Sequence, residues 1–278
     1  DSVLLGFVFE KYNPDIVMNF AAYTSVAESM IDPSKYYNNN VSKTLILLDT
    51  MLDYGIRDFV FSSSAAVYGE PEHIPVCESA RCAPTNVYGE TKLMAEMMLD
   101  AYDKAYGLNY ISLRYFNAAG AHPLGDIGED HEPETLLIPL VLRTALFGEP
   151  ELKVFGQDYD TIDGTCVRDY IHVSDLATAH ILAAEALLDG SKSCIYNLGN
   201  GKGYTVRQVI ETAKKVTGKD IPSIDAPRRL GDPGILVASS DKIKAELGWI
   251  PKFPNLEDII STAWKWHKGY PNGYGGQA

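Results

Sequence analysis

The chain has 278 residues, of which 46% are hydrophobic and 22% charged, and this composition is ordinary for a globular protein with a sizeable core. Its formal net charge of -13 argues against nucleic acid or an anionic membrane as a partner, because phosphate binding relies on Lys and Arg. No apolar run reaches the length of a membrane span and the first residues lack the basic region of a secretory signal, so we predict a cytoplasmic protein.

Three short apolar runs, at 15–20, 59–62 and 110–116, have the pattern of strands that are buried on both faces. Apolar residues recur at the helical period between them, at about 34–54 and 88–107. Strands that alternate with helices pair in parallel through right-handed crossovers. This part of the chain therefore predicts a doubly wound α/β sheet.

The sequence changes character after Asn117. Residues 118–130 are rich in Gly, Pro and acids and predict a loop. The elements predicted beyond it are a helix at about 135–147, a strand at 152–155, a strand at 167–173, a helix capped by Ser174 and Asp175 that ends near 188, and a strand at 194–198.

Tyr88 and Lys92 form the pattern Tyr-x-x-x-Lys at the start of the second predicted helix. This spacing puts the phenol and the ammonium on one helix face. The pKa of a tyrosine is ordinarily near 10, so a base at neutral pH needs its phenolate favoured by roughly three units, or about 4 kcal/mol. A nearby cation can supply part of that. The spacing alone can arise by chance in a chain with 17 tyrosines.

Three serines, Ser62, Ser63 and Ser64, follow the strand that precedes this helix. In open α/β sheets, ligands bind beyond the carboxyl ends of the strands. A serine-rich strand end is by itself more typical of a turn or a cap. Its position one crossover before the Tyr-x-x-x-Lys pattern favours a functional site.

Further segments carry a family resemblance. They are 19–22 (NFAA), 36–41 (YYNNNV), 62–69 (SSSAAVYG), 88–94 (YGETKLM), 114–121 (RYFNAAGA), 164–173 (GTCVRDYIHV) and 228–232 (RRLGD). With these segments the chain resembles the extended short-chain dehydrogenase/reductase family along its whole length. The last two segments narrow the resemblance to nucleotide-sugar enzymes, and among these to the UDP-sugar 4-epimerases.

The resemblance implies a Rossmann-like doubly wound parallel sheet with a smaller mixed α/β substrate domain. Residues 1–117 and 167–200 would belong to the NAD-binding domain, and 118–166 and 201–278 to the nucleotide-sugar domain. The implied activity is NAD-dependent interconversion of UDP-galactose and UDP-glucose, by transient oxidation at C4 of the sugar. A homodimer through the two helices at 34–54 and 88–107 is also implied.

The resemblance further implies roles for individual residues. Tyr88 would take the proton of the sugar 4-hydroxyl, Ser64 would hydrogen-bond the same oxygen, and Lys92 would hold the nicotinamide ribose and lower the pKa of Tyr88. The other residues expected to line NAD are Phe20, Ala21, Ala22, Asn39, Ser62, Tyr115 and Phe116. The residues expected to hold UDP are Asn117, Lys153, Val154, Phe155, Arg168, Tyr170, Arg229 and Asp232. Phe20 and Phe116 could equally be core aromatics.

The sequence departs from the family at its start. The family begins with a strand and a glycine-rich turn that cradles the pyrophosphate, and the first residues here resemble a later helix, so roughly sixty residues of relatives have no counterpart. We expect an uncovered helix face and an exposed sheet edge as a result. Either the chain is a fragment of a longer protein or that half was removed. Leu236 falls in the region that sets sugar-pocket size in the family, so acceptance of N-acetylated sugars stays open.

Two alternative functions stay open. One is another nucleotide-sugar epimerase or dehydratase, such as a UDP-N-acetylglucosamine 4-epimerase, and the other is a non-catalytic UDP-sugar-binding module. Dehydratases place an acid directly after the strand-end hydroxyl, whereas Ala65 and Ala66 follow Ser64, which favours epimerisation. The acids and the histidine at 126–131 are more typical of a solvated loop than of a metal site, and the four cysteines lack paired ligand spacing. We therefore predict no metal.

Overall fold

The computed structural model describes residues 1–148, 151–229 and 232–276. The helices are α1 (Ser2–Tyr12), α2 (Val26–Ile31), α3 (Pro33–Tyr36), α4 (Lys43–Asp53), α5 (Val87–Tyr106), α6 (Leu137–Phe147), α7 (Val173–Leu188), α8 (Val206–Thr217), α9 (Asp241–Leu247) and α10 (Leu256–Gly269). The strands are β1 (Ile16–Asn19), β2 (Asp58–Ser64), β3 (Asn109–Tyr115), β4 (Asn117–Ala119), β5 (Leu152–Phe155), β6 (Val167–His172), β7 (Cys194–Leu198), β8 (Gly203–Thr205), β9 (Ser223–Ala226) and β10 (Ile235–Leu236).

The main sheet has the strand order β1-β2-β3-β7, and all of its pairs are parallel. Successive residues of β2 point to opposite faces. Phe59 and Phe61 pack with Leu99 of α5, whereas Val60 packs with Leu176 of α7. Helices therefore cover both faces, and the predicted doubly wound α/β sheet is confirmed.

Helix α5 has a polar start and a glycine end. Asn86 is its N-cap, and its side-chain oxygen accepts a hydrogen bond from the amide of Gly89 at 2.8 Å. Gly107 ends the helix with φ of 67°, a left-handed conformation that favours glycine. These two signals place the helix within one residue of its predicted start at 88 and predicted end at 107.

The helix predicted at 34–54 is not continuous. Between α3 and α4 lies a π-helical turn, Tyr37–Ser42. Asn40 in this turn accepts a hydrogen bond from the Tyr23 amide and donates one to Thr91 Oγ1 at 3.1 Å. These long-range contacts, which periodicity does not reveal, tie the turn to α5.

The predicted cap of α7 is also corrected. The N-cap is His172, whose Nδ1 accepts the Ser174 amide at 3.0 Å. Asp175 lies inside the helix, where its carboxylate accepts the amides of Lys252 and Phe253. Its role is therefore a tertiary contact with the segment before α10.

Two smaller sheets lie beyond the main one. Strand β6 pairs in parallel with β4 and β10 and antiparallel with β8, and β5 pairs with β9. The family resemblance implies that 167–200 belongs to the NAD-binding domain, yet within that range β7 joins the main sheet and β6 does not. The predicted domain boundaries themselves stay a prediction.

One face of the molecule carries exposed apolar side chains. Val3, Leu4 and Phe7 of α1 are all more than half exposed, and the main sheet ends at β1. This arrangement agrees with the predicted uncovered helix face and exposed sheet edge. Among the described residues, no helix has the length and apolar character needed to cross a membrane.

A buried ion pair joins α5 to the sheet. Glu96 and Arg114 are each 4% exposed, and Arg114 Nε donates to Glu96 Oε1 at 2.9 Å. Ser63 donates to the same oxygen at 2.6 Å, and Arg114 also donates to the hydroxyl of Tyr68. Tyr68 in turn donates to Asn197 of β7 at 2.7 Å. The network thus connects α5, β2, β3 and β7.

Glu96→Ala is expected to lower the free energy of unfolding by about 3–5 kcal/mol, because it leaves Arg114 charged and unpaired in the core. Urea denaturation measures this change. Asp100→Ala is the matched control, since it removes an exposed ion pair with Lys104 on the same helix and should cost less than about 1 kcal/mol. Equal losses in the two variants would show that the buried pair does not stabilise the sheet.

Candidate active site

The strand end and the helix start meet as the sequence predicts. Tyr88, in the first turn of α5, hydrogen-bonds through its side chain with Ser64, the last residue of β2. The Ser64 hydroxyl also accepts the amide of Ala66 at 3.2 Å and so caps the short 3-10 turn that follows the strand. One phenol and one hydroxyl are therefore held together at the carboxyl end of a central strand.

Gly89 allows this close approach. A Cβ atom at this position would lie 2.4 Å from the carbonyl oxygen of Ala66 and 3.0 Å from Cβ of Pro84. The first neighbour is backbone and cannot move aside cheaply. The glycine therefore lets α5 sit directly against the turn that follows Ser64.

Burial governs the pKa of Tyr88. The loss of solvent raises this pKa from its ordinary value of 10 to about 12, although the hydrogen bond with Ser64 lowers it in part. In the chain alone, Tyr88 is thus a neutral phenol at neutral pH.

Lys92 lies one turn further along α5 and is buried, whereas Tyr88 is half-buried. Its ammonium donates to the Ser62 carbonyl at 2.6 Å. Burial lowers the pKa of Lys92 to about 8, against a smaller opposing effect of Glu96. The ammonium is therefore charged at neutral pH and loses its proton above about pH 8.

The expectation that Lys92 lowers the pKa of Tyr88 stays a prediction. The Lys92 nitrogen lies 5.8 Å from the centre of the Tyr88 ring and is engaged by the Ser62 carbonyl. Desolvation is the largest influence on Tyr88 and acts in the opposite direction. The helical spacing brings the two groups to one face, as predicted, but burial decides the protonation state.

His180 lies beside the candidate site and is not among the residues predicted from the sequence. Its Nδ1 lies 2.8 Å from the Leu176 carbonyl, so this nitrogen carries the hydrogen, and Nε2 accepts from Ser62 Oγ at 3.4 Å. The imidazole also packs on Phe20 with ring centroids 4.7 Å apart and edge-on to Tyr115. In the sequence, His180 is distinguished only as a polar residue beside the apolar face of α7.

The predicted NAD residues divide into surface and core. Phe20 is 58% exposed directly after β1, whereas Phe116 is 8% exposed and packs in the core with Tyr68 and Leu236. The two rings, which the sequence does not distinguish, therefore differ in their exposure. The side chain of Phe116 is a core residue here, and Phe20 offers an open face.

A cavity of about 240 Å³ lies at the end of β1, against α1 and α4. Ala21 and Asn39, both predicted to line NAD, line this cavity together with Asn19 and Lys43. Ala22 follows in the same loop and is half-buried. Tyr115 ends β3 and hydrogen-bonds with Ser62, which brings it to the same strand ends.

The predicted UDP residues form a second group, next to the smaller sheets. Arg168 and Asp232 approach to 3.8 Å, and Arg229 lies over the Phe155 ring, 4.0 Å from its centroid. Asn117 is the first residue of β4 and donates to the Asp169 carbonyl at 2.9 Å. These side chains are partly or wholly exposed and can meet a ligand.

Three other predicted UDP residues differ in exposure. Lys153 is exposed on β5, but Val154 is fully buried in the core with α6, so the prediction for Val154 can hold only for its backbone. Tyr170 is also buried in that core. Its role in binding stays a prediction.

Known proteins resemble this chain along nearly its whole length. Residues 1–199 match the family described as NAD dependent epimerase/dehydratase family. A UDP-glucose 4-epimerase of Halalkalibacterium halodurans is 53% identical over 274 residues, which cover 99% of this chain and 82% of that protein. The chain belongs to the NAD dependent epimerase/dehydratase family.

Solved structures of family members agree with the fold. A UDP-glucose 4-epimerase from Brucella ovis in complex with NAD superposes with a TM-score of 0.92 at 45% identity, covering 95% of this chain and 81% of that one. A UDP-glucose 4-epimerase from Bifidobacterium longum in complex with NAD⁺ and UDP superposes with a TM-score of 0.93 at 39% identity. The match covers 99% of this chain and 82% of that one. The Rossmann-like architecture inferred from the sequence is thereby confirmed.

The residues present fit the cofactor of the family. An ammonium has three donors, and within the described part of the chain the acceptor of the buried Lys92 is the Ser62 carbonyl. The remaining donors suit ribose hydroxyls. The open ring of Phe20 and the amide and ammonium groups of the cavity beside it suit a dinucleotide.

Gly89→Ala is expected to lower the free energy of unfolding by about 1–3 kcal/mol, because the added methyl group overpacks α5 against the Ala66 carbonyl. Urea denaturation measures the change. Gly269→Ala at the end of α10 is the matched control, since no atom lies within 4 Å of its added Cβ. Similar stabilities of wild type and Gly89→Ala would contradict the required close approach.

Lys92→Met is expected to remove a pH-dependent part of the stability. The folded chain releases the Lys92 proton near pH 8 and the unfolded chain near 10.5, so the unfolded state binds more protons in between and wild-type stability rises with pH. The rise from this group is about 3 kcal/mol between pH 8 and 10.5. Urea denaturation across this range measures it in both proteins.

Lys104→Met changes an exposed lysine of the same helix and should keep the wild-type pH profile. A constant difference between Lys92→Met and wild type from pH 8 to 10.5 would mean that burial does not shift the pKa of Lys92.

Proposed function

We propose that this chain carries the active site of a UDP-glucose 4-epimerase, which interconverts UDP-glucose and UDP-galactose with NAD as its cofactor. The observation that carries the proposal is the half-buried Tyr88, whose phenol hydrogen-bonds with Ser64 and is followed one turn later by the buried Lys92. The family membership and the relative from Halalkalibacterium halodurans support it.

Proton transfer in this site falls to Tyr88. Its Oη would take the proton of the sugar 4-hydroxyl, and Ser64 Oγ would hydrogen-bond the same sugar oxygen, because the two side chains already contact each other. NAD, when bound, supplies the reversible two-electron oxidation of C4. Inversion would require the 4-keto sugar to turn within the site, so that C4 is reduced again from its other face, while Tyr88 returns the proton to O4.

Lys92 would act on both the cofactor and the base. Its unused donors would hold the nicotinamide ribose, while its charge, present below about pH 8, favours the Tyr88 phenolate. His180 fixes Ser62 from the opposite side of β2 and so keeps the carbonyl that binds Lys92 in place. The strand end is thus supported from both faces.

The nucleotide would lie against the second group of residues. A guanidinium suits a pyrophosphate and a carboxylate suits ribose hydroxyls, so we assign Arg168 and Arg229 to the phosphates and Asp232 to the ribose. Phe155 holds the Arg229 guanidinium by stacking. Asn117 connects this group to the end of β3 and would face the substrate between the two halves.

The small residues after Ser64 support epimerisation over loss of water. Ala65 and Ala66 form the 3-10 turn that Ser64 caps, so no acid directly follows the strand-end hydroxyl. The alternative dehydratase chemistry lacks its expected acid at that place.

Three further properties belong to the proposal. We assign 1–117 with 167–200 to NAD binding and 118–166 with 201–278 to the nucleotide sugar. A homodimer through α4 and α5 is supported by their exposed apolar side chains Leu45, Ile46, Met94 and Met97. A cytoplasmic location is supported by the four free cysteines, and a role in galactose metabolism would follow from the proposed activity.

Tyr88→Phe is expected to lower kcat for UDP-galactose conversion by about a hundredfold to ten-thousandfold, because it removes the proton acceptor and leaves the ring in place. A coupled assay of UDP-glucose formation, in the protein that carries this chain with NAD added, measures the rate. Binding of UDP should stay at the wild-type level.

Tyr106→Phe is the matched control, since Tyr106 is exposed at the far end of the same helix. An unchanged rate in Tyr88→Phe would remove Tyr88 from its role. UDP binding without any conversion in the NAD-supplied wild type would instead favour the binding module.

A further inference from the structure

A cluster of metal-ligating side chains lies in the loop before α6, apart from the candidate active site. Its members are Glu129, His131 and Glu134, and one ligand atom of each lies within 4.8 Å of the other two. His131 Nδ1 lies 3.2 Å from Glu129 Oε1 and 3.7 Å from Glu134 Oε2. The prediction for residues 126–131 does not include this set, because Glu134 lies beyond that range.

The spacing suits a single metal ion. Donor atoms that bind one Zn²⁺ at about 2.1 Å in a tetrahedron stand about 3.4 Å apart. Both distances from the His131 nitrogen are close to this value. The two carboxylates would need to move only slightly closer to each other for all three groups to bind one ion. Water could occupy the fourth position.

Glu134 is oriented toward the cluster before any ion binds. Its side chain is 3% exposed, and Oε1 accepts the backbone amides of Thr135 and Leu136 at 2.7 and 2.8 Å. These two bonds direct the other oxygen, Oε2, at His131, at a distance too long for a hydrogen bond. A buried carboxylate oxygen that faces a second carboxylate and an imidazole is suited to a cation.

Glu129 is held in place from α10. Its carbonyl accepts the indole N–H of Trp266 at 3.1 Å. The preceding Gly128 lies so close to the Trp266 ring that a Cβ there would fall 2.1 Å from it. The backbone that carries the first ligand is thus fixed by packing, and a cavity of about 270 Å³ beside the cluster gives an ion access from solvent.

We propose that Glu129, His131 and Glu134 bind a divalent transition metal ion of the zinc type. An imidazole with two carboxylates and no thiolate is a donor set that Zn²⁺ accepts. The ion would neutralise the two acids and tie the loop to the start of α6 and, through Trp266, to α10. None of its ligands belongs to the residues proposed for the epimerase reaction, so the site stands independently of that function.

The test uses the full chain, stripped with a chelator and then titrated with Zn²⁺. Calorimetry and elemental analysis should give one ion per chain. Glu134→Gln and His131→Asn should each weaken binding by at least about tenfold. His122→Asn is the matched control, because His122 pairs with Asp126 in the same loop and lies outside the cluster, and this variant should bind as wild type does.

Co²⁺ provides a second readout, since its visible absorption should appear in wild type and His122→Asn and disappear in His131→Asn. Circular dichroism checks that each variant is folded. If Glu134→Gln unfolds, the result for His131→Asn decides the question, because the His131 side chain is half-exposed. No Zn²⁺ binding, or equal binding in wild type and His131→Asn, would overturn the proposal.

Discussion

The candidate site depends on how helix α5 is fixed against strand β2. Three residues of α5, each four positions apart, contact the three consecutive serines that end the strand. The pairs are Tyr88 with Ser64, Lys92 with the Ser62 carbonyl and Glu96 with Ser63. Because four-residue spacing keeps side chains on one helix face, a single orientation of α5 satisfies all three contacts. The buried charge pair with Arg114 then makes that orientation costly to leave, so the structural network and the chemical groups share one helix face.

The strand end has an equally strict constraint, since neighbouring residues of β2 face opposite layers. Ser63 points to Glu96 of α5, whereas Ser62 points to His180 of α7. A shift of one residue in register would exchange these partners and put Phe61 in the place of a serine. The Ser62 and Ser63 hydroxyls thus hydrogen-bond with buried polar side chains on the two faces of the sheet, at the end of the strand where its apolar residues stop. That leaves the Ser62 carbonyl for Lys92 and the Ser64 hydroxyl for Tyr88.

Local patterns predict much of this arrangement from the sequence. Apolar runs and helical periodicity locate β1, β2, β3 and α5, and the order of elements is sufficient for parallel pairing. The π-helical turn before α4 is not predictable in this way, because Asn40 owes its geometry to Tyr23 and Thr91, which are distant in sequence. Burial is equally hidden: Phe20 and Phe116 look alike in the sequence, but one is exposed and the other is core. His180 is found only once α7 is placed against β2.

Burial also determines what the Tyr88 and Lys92 pair can do, since it opposes the charged form of both. The pKa of Tyr88 stands at about 12 and that of Lys92 at about 8. At the 5.8 Å between the ammonium and the ring centre, and an effective dielectric constant of about 20, attraction to a phenolate is about 3 kcal/mol, or roughly two pKa units. That attraction opposes the effect of burial on the pKa of Tyr88, but it is present only below about pH 8, where Lys92 holds its proton. A base at neutral pH therefore needs a second positive charge of similar effect beside the phenol, and an oxidised nicotinamide ring carries such a charge.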